Sequence, residues 1–170
     1  KKSSFHISVF SNHKNTWHPP TLWIGLGCER NTSKELIEDS LQSFLNTNNL
    51  SPLSIAGFAT VDLKKDEKAI LEISKENNLP IKFFASEELS SINTPNPSNV
   101  VLNEIGTPSV AEAACMIAAG QGSKLLKEKK IYKSTDSSKS TFGAVTIAVS
   151  ESINQYSPLT GEIHIVGSGP

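Results

Sequence analysis

The chain has 170 residues, and its 16 basic and 17 acidic side chains give a net charge of −1, so no charge excess indicates a nucleic-acid or membrane-surface partner. No apolar run approaches the length of a membrane span, and Cys28 and Cys115 alone provide neither a disulfide framework nor a metal-binding spacing. These features predict a globular cytoplasmic protein without a metal site, a nucleic-acid partner or a membrane partner.

The first elements are a polar flank, a strand and a helix. Residues 1–21 are predicted as a linker or the end of a preceding domain, because they are polar and run into Pro19-Pro20. The apolar run "LWIGL" from Leu22 is typical of a strand covered on both faces. Thr32 and Glu35 fit a capping box at a helix start. The apolar residues that follow recur at helical spacing: Leu36, Ile37, Leu41, Phe44 and Leu45.

The middle of the chain repeats this order. A second strand, "SIAGFATV" from Ser54, leads through the polar corner "DLKKDE" into a helix that ends near Asn77. A third strand, "IKFFA", precedes the short helical turn "SEELSSI". The next helix has two possible starts, and the sequence does not choose between them. One is Thr107 followed by Pro108, and the other is a capping box of Ser109 and Glu112.

The last elements, "KLLKEKKIYKS" and "TFGAVTIAVSE", are predicted as two strands joined by "TDSSK". The whole order predicts an α/β fold: a three-layer α/β/α domain over residues 22–151, with a mainly parallel (mixed) sheet ending in an antiparallel hairpin. Residues 152–160 are predicted as a linker to a further segment, 161–170.

Three polar corners, each joining a strand to a helix, are the candidate ligand sites. They cover residues 25–33, 60–67 and 106–112. In a parallel sheet such corners lie beyond the carboxyl ends of the strands, and helix N-termini there attract anions. Arg30, Lys64 and Lys65 would add charge-assisted hydrogen bonds to carboxylates. The competing interpretation is that these corners are ordinary turns.

Other chemistry receives less support from the residues. A dinucleotide site fails because Arg30 stands where the third glycine of G-x-G-x-x-G belongs. Cys28 could be a nucleophile near a helix N-terminus, but packing at the turn is the favoured interpretation, and Cys115 is predicted to be core. Six lysines between residues 124 and 139 indicate either a polyanion site or, as we favour, protection of an exposed edge strand.

Four segments together resemble a known family. "WIGLGCERNTSKELIEDSL", "ATVDLKKDEKAILEISKENNLPIKFFASEEL", "GTPSVAEAACMIAAG" and "GAVTIAVSE" resemble the C-terminal domain of the CbiG/CobE family of cobalamin biosynthesis. The tail "GEIHIVGSGP" resembles the opening strand and glycine turn of tetrapyrrole methylases, which bind S-adenosylmethionine. The resemblance implies a parent chain in which this domain is fused to a precorrin-3B C17-methyltransferase.

This resemblance implies a role in the corrin pathway. The CbiG family hydrolyses cobalt-precorrin-5A, opening a ring-A lactone and releasing acetaldehyde. The domain is expected to bind a precorrin or cobalt-precorrin intermediate together with an N-terminal CbiG-type region and to need no cofactor itself, while the methylase uses S-adenosylmethionine. Whether the isolated domain is an enzyme stays open, and the alternative is a non-catalytic tetrapyrrole carrier.

The positions that match the family's segments, or lie beside them in the corners, are the predicted substrate-binding residues: Gly25, Gly27, Cys28, Arg30, Thr32, Thr60, Asp62, Lys64, Gly106, Thr107 and Ser109. Arg30 is expected to pair with a substrate carboxylate because its guanidinium can form two parallel hydrogen bonds. Glu112 is the candidate general base for lactone opening, against the alternative that it only caps a helix.

Overall fold

The described part of the computed structural model comprises residues 6–96, 109–134 and 141–153. Its strands are β1 (His6–Ile7), β2 (Thr16–Trp17), β3 (Leu22–Cys28), β4 (Ile55–Val61), β5 (Ile81–Phe84), β6 (Lys124–Lys133) and β7 (Ala144–Glu151). Its helices are α1 (Lys34–Thr47), α2 (Lys68–Glu76), α3 (Ser86–Ser90) and α4 (Val110–Ala119), with 3-10 turns at Pro52–Ser54 and Asp62–Lys64. Within these ranges, no helix has the length and apolar character that crossing a bilayer requires.

Strands β3 to β7 form one five-stranded sheet in the order β5-β4-β3-β7-β6. The neighbours β3–β4 and β4–β5 are parallel, whereas β7 is antiparallel to both β3 and β6. The predicted mixed sheet and the terminal hairpin are therefore confirmed. The loop predicted for the hairpin, residues 135–139, lies outside the described residues.

The central strand β3 is covered on both faces, as its continuous apolar run predicted. Leu22, Ile24 and Leu26 lie in one core with the apolar side chains of α1 and α2. Trp23 lies in a second core with the alanines of α4, on the opposite face. Because alternate residues of a strand point to opposite faces, one strand supplies both cores and the fold has three layers.

Helix α1 begins one residue later than predicted. Ser33, not Thr32, precedes the helix, and its Oγ accepts a hydrogen bond from the Leu36 backbone N–H at 3.4 Å. Thr32 instead donates its hydroxyl to the Glu29 carbonyl oxygen at 2.9 Å. The cause is Asn31, whose φ of 58° adds a left-handed turn before the helix. The predicted Thr32–Glu35 capping box is therefore wrong.

Helix α4 begins at Val110, directly after Ser109. Ser109 does not cap the helix, because its Oγ donates to the Glu112 carboxylate at 3.1 Å and makes no hydrogen bond to a backbone N–H. The Ser109–Glu112 capping box is thus not formed. The alternative start at Thr107 and Pro108 lies outside the described residues.

Part of the segment predicted as a linker packs against the domain. Val9 is buried in the core that contains β3 and α1, and its carbonyl oxygen accepts a hydrogen bond from the Ser51 N–H at 2.8 Å. Ser11 N–H donates to the Asn49 carbonyl oxygen at 2.9 Å. The described residues before β3 therefore contact the end of α1 and the turn that follows it.

Strand β6, with its run of lysines, is an edge strand of the described sheet. Its pairing with β7 shifts register twice, between Leu125 and Lys127 and between Lys127 and Lys130. Charged side chains and irregular register both hinder pairing with another chain. The edge position agrees with the interpretation of these lysines as protection of an exposed strand.

Candidate functional site

The carboxyl ends of β3 and β4 lead into two polar corners that share an open cleft of about 460 Å³. The first corner joins β3 to α1, and the second joins β4 to α2. The cleft is lined by Arg30, Asn31, Thr32, Lys34, Glu35, Asp66, Glu67, Lys68, Ala69 and Glu72. Both helices thus direct their N-terminal turns at one space, as the parallel pairing of β3 and β4 requires.

Arg30 connects the two corners across this cleft. Its Nη1 donates to Asp66 Oδ1 at 2.6 Å, and its Nη2 donates to the Leu63 carbonyl oxygen at 2.7 Å. The hydrogen bond with Asp66 raises the pKa of Arg30 and lowers that of Asp66. Arg30 therefore lines the cleft, and its hydrogen bonds go to groups of the chain itself.

Lys64 is not a surface cation. Its side chain is only 7% exposed, and its Nζ lies 4.0 Å from Glu67 Oε2. Glu67 is equally buried, and its Oε1 accepts a hydrogen bond from the Asn31 backbone N–H at 3.0 Å. Because each buried charge compensates the other, this pair links the second corner to the left-handed turn of the first.

The two threonines of these corners are hydrogen-bonded to the backbone. Thr60 is fully buried, and its Oγ1 donates to the Leu26 carbonyl oxygen of the neighbouring strand at 2.7 Å. Thr32 donates to two carbonyl oxygens, those of Glu29 and Ala144. Asp62 begins the 3-10 turn after β4, and its carbonyl oxygen accepts from the Lys65 N–H. These contacts fix the shape of the corners.

The predicted glycines of the first corner lie beside α4. A Cβ added to Gly25 would overlap the carbonyl oxygen of Ala111 and approach its carbonyl carbon to 2.7 Å. A Cβ added to Gly27 would meet Thr146 and Val110 at ordinary contact distances of 3.7 and 4.0 Å. Gly25 is therefore required for the close approach of α4 to β3.

Cys28 lies near the buried pair, and burial raises the pKa of its thiol to about 11. We expect iodoacetamide to label Cys28 slowly in the folded chain at pH 8, because the thiolate is the reactive form. Since folding raises this pKa from 9.0, the folded chain holds the proton more tightly and stability falls as pH rises from 9 to 11.

Mass spectrometry of the alkylated chain, with urea-unfolded chain as the control, checks this expectation. Rapid labelling of folded Cys28 would instead indicate a reactive thiol.

Glu112, the candidate base, is a fully buried carboxylate with several donors. Its Oε1 accepts from Asn96 Nδ2 at 2.9 Å and from the Lys129 backbone N–H at 3.1 Å. Its Oε2 accepts from Ser109 Oγ at 3.1 Å and from the Asn96 backbone N–H at 3.3 Å. The carboxylate therefore joins the start of α4 to β6 and to the segment after α3.

Gly106 and Thr107, two further predicted substrate-binding residues, lie outside the described residues.

Sequence reasoning did not identify Asp66, Glu67 and Asn96 as parts of these arrangements. Asp66 and Glu67 belong to the polar corner before α2, and Glu67 occupies the position just before that helix. Their composition predicts a turn. Only the pairing of β3 with β4 brings them to Arg30 and Asn31, so no local pattern marks them.

The family model described as cobalamin synthesis G C-terminus matches residues 22–150. A cobalt-precorrin-5A hydrolase of Priestia megaterium is 33% identical over 114 residues, which are 67% of this chain and 30% of that protein. This chain therefore covers less than a third of that hydrolase.

Two further relatives have a length closer to that of the domain. Protein CobE of a Sinorhizobium species is 31% identical over 110 residues, which are 64% of this chain and 71% of that protein. A crystal structure of CobE, a protein from the cobalamin biosynthetic pathway, superposes with a TM-score of 0.66 at 29% identity, covering 77% of this chain and 89% of that one. Residues 22–150 thus carry both the sequence and the fold of this group, and the chain belongs to the cobalamin synthesis G C-terminal family.

Proposed function

We propose that this domain binds the corrinoid substrate of a cobalt-precorrin-5A hydrolase-type protein of cobalamin biosynthesis. The observation that carries the proposal is the shared cleft, in which Arg30 and the N-terminal turns of α1 and α2 meet. Family membership and the identity to a cobalt-precorrin-5A hydrolase supply the substrate class. Precorrins carry acetate and propionate carboxylates around a broad apolar ring, so such a substrate needs both cationic and apolar contacts.

The cleft offers groups suited to carboxylates. Lys68 and the half-exposed Arg30 line it, and α2 has no side-chain cap at its N-terminus within the described residues. Backbone N–H groups of an uncapped first turn are donors for an anion, and the helix dipole favours negative charge there. A carboxylate in the cleft would therefore find both a charge partner and backbone donors.

Two exposed apolar side chains adjoin the same corners and suit the ring. Leu63 is exposed, and its carbonyl oxygen accepts from Arg30. Phe142 is exposed as well, and its backbone N–H donates to Ser33 Oγ at the start of α1. In this proposal, Leu63 and Phe142 contact the apolar ring of a substrate whose carboxylates lie in the cleft.

The general base for lactone opening is a separate question. A base must reach the water or proton it acts on, and the four hydrogen bonds to the buried Glu112 carboxylate favour a positioning role. We therefore propose that this domain supplies binding and that the base belongs to the portion of the hydrolase that this chain does not cover.

The alternative is a non-catalytic carrier of tetrapyrrole intermediates. It is favoured by the match to CobE, because this domain makes up most of that relative's length. A carrier would deliver its ligand to another enzyme. The fused methylase inferred from the tail, with its S-adenosylmethionine, is the candidate recipient, and that fusion stays a prediction.

A chimera distinguishes the two functions. The matching segment of the Priestia megaterium hydrolase is replaced by residues 22–150 of this chain, and acetaldehyde release from cobalt-precorrin-5A is measured. We expect the chimera to release acetaldehyde and a variant with the segment deleted to lose it. Equal release by the deletion variant, with corrinoid binding retained by this chain, would favour the carrier. Absence of corrinoid binding to this chain in an absorbance titration would contradict both.

A further inference from the structure

The cations of the cleft corners are largely paired with acids of the chain itself. Arg30 is hydrogen-bonded to Asp66, and Lys34 Nζ lies 2.7 Å from both carboxylate oxygens of Glu76. Lys64 lies beside Glu67. A carboxylate ligand that pairs with one of these cations must therefore compete with a carboxylate that is already present.

Among these acids, Asp66 is the one whose separation from its cation costs the least free energy. Its side chain is 76% exposed, so it returns to water when it separates from Arg30. Glu67 cannot do so, because it is buried against Lys64 and accepts from the Asn31 N–H. Its removal would leave a buried ammonium without a counter-charge, which is strongly unfavourable.

Arg30 remains anchored when Asp66 leaves. Its Nη2 donates to the Leu63 carbonyl oxygen, so the guanidinium keeps its place at the second corner while Nη1 exchanges partners. Glu67 Oε2, 3.8 Å from Nη1, also remains nearby. The arginine is thus held in position for an incoming carboxylate before the ligand arrives.

We propose that Asp66 occupies on Arg30 the position of a ligand carboxylate and is displaced when the ligand binds. This inference rests on the proposed function and adds a rule of specificity to it. Exchange of one carboxylate for another at Arg30 gains little free energy. A monocarboxylate therefore binds weakly, whereas a polycarboxylate gains from its further contacts in the cleft.

The test compares Asp66→Asn with Glu72→Gln as a matched control. Both variants remove one negative charge from the cleft lining, but Glu72 has no hydrogen bond or ion pair to Arg30 within the described residues. The probes are citrate, a small polycarboxylate, and uroporphyrin, a polycarboxylate tetrapyrrole. Binding is followed by titration calorimetry, and the Arg30 side-chain N–H signal in NMR reports exchange at the guanidinium.

We expect Asp66→Asn to lower Kd by about two- to fivefold, the range typical of an exposed ion pair. Glu72→Gln should increase the affinity clearly less than Asp66→Asn does. The double variant R30A/D66N should not show the increase in affinity that Asp66→Asn gives alone. An Asp66→Asn Kd equal to or above that of the wild-type chain, or equal gains in both single variants, would overturn the inference. Exchange with citrate but no corrinoid binding in the absorbance titration would support the inference while contradicting the proposed function. Corrinoid and uroporphyrin binding that Asp66→Asn leaves unchanged would support the proposed function while contradicting the inference.

Discussion

Replacing Gly25 by alanine should lower the free energy of unfolding by about 3 kcal/mol or more, at the upper end of overpacking effects. The reason is the close approach of α4 to β3, because the new Cβ would overlap the carbonyl group of Ala111. A backbone carbonyl cannot rotate away as a side chain can, so α4 must move as a unit. Urea denaturation followed by circular dichroism measures the change.

Gly27→Ala is the matched control on the same strand. Its Cβ would meet only side-chain carbons at ordinary contact distances, and Gly27 does not have a positive φ. We expect a change of less than about 1 kcal/mol. Similar losses in both variants would show that α4 does not depend on a close approach at Gly25.

The second large effect is expected at Glu112. Glu112→Ala should lower the free energy of unfolding by about 3–5 kcal/mol, because it leaves several buried donors without an acceptor and opens a cavity. Glu112→Gln keeps the volume but places an amide N–H₂ against donors, so its cost should be smaller, about 1–3 kcal/mol. Both values can be read from urea denaturation.

Glu128→Ala provides the control for Glu112. Glu128 also accepts from Asn96 Nδ2, at 2.9 Å, but it is exposed. Its loss should change stability by no more than about 0.5 kcal/mol. If Glu112→Gln kept full stability while the chimeric hydrolase lost acetaldehyde release, Glu112 would be a general base and not a positioning residue.

The order of elements was predictable because each depends on local residues. The apolar run of β3 and the helical spacing from Leu36 onward describe segments that fold in the way their own sequence favours. The start of α1 was missed by one residue. Thr32 and Ser33 are both good capping residues, and the choice depends on the left-handed turn at Asn31, which the pair of Glu67 and Lys64 supports.

The partners within the site were not predictable from the sequence. Arg30 was predicted to pair with a substrate carboxylate, but its pairing with Asp66 depends on how close two strand ends lie. Likewise, the sequence shows a glycine at 25 without showing that α4 packs closely against it. Val9 was missed although the sequence carries a signal: Phe5, Ile7 and Val9 alternate with polar residues, as in a half-buried strand, and Val9 is buried.

The interior position of β7 in the sheet has a consequence for how the domain forms during synthesis. β7 is the last described strand to be made, yet it lies between β3, the first strand of the sheet, and β6. Until about residue 151 has left the ribosome, one edge of β3 lacks its partner and exposes unpaired backbone groups. Such edges are sites of aggregation in partly synthesised chains. The nascent domain therefore completes its sheet in one late step, and its need for chaperone protection is greatest just before that step.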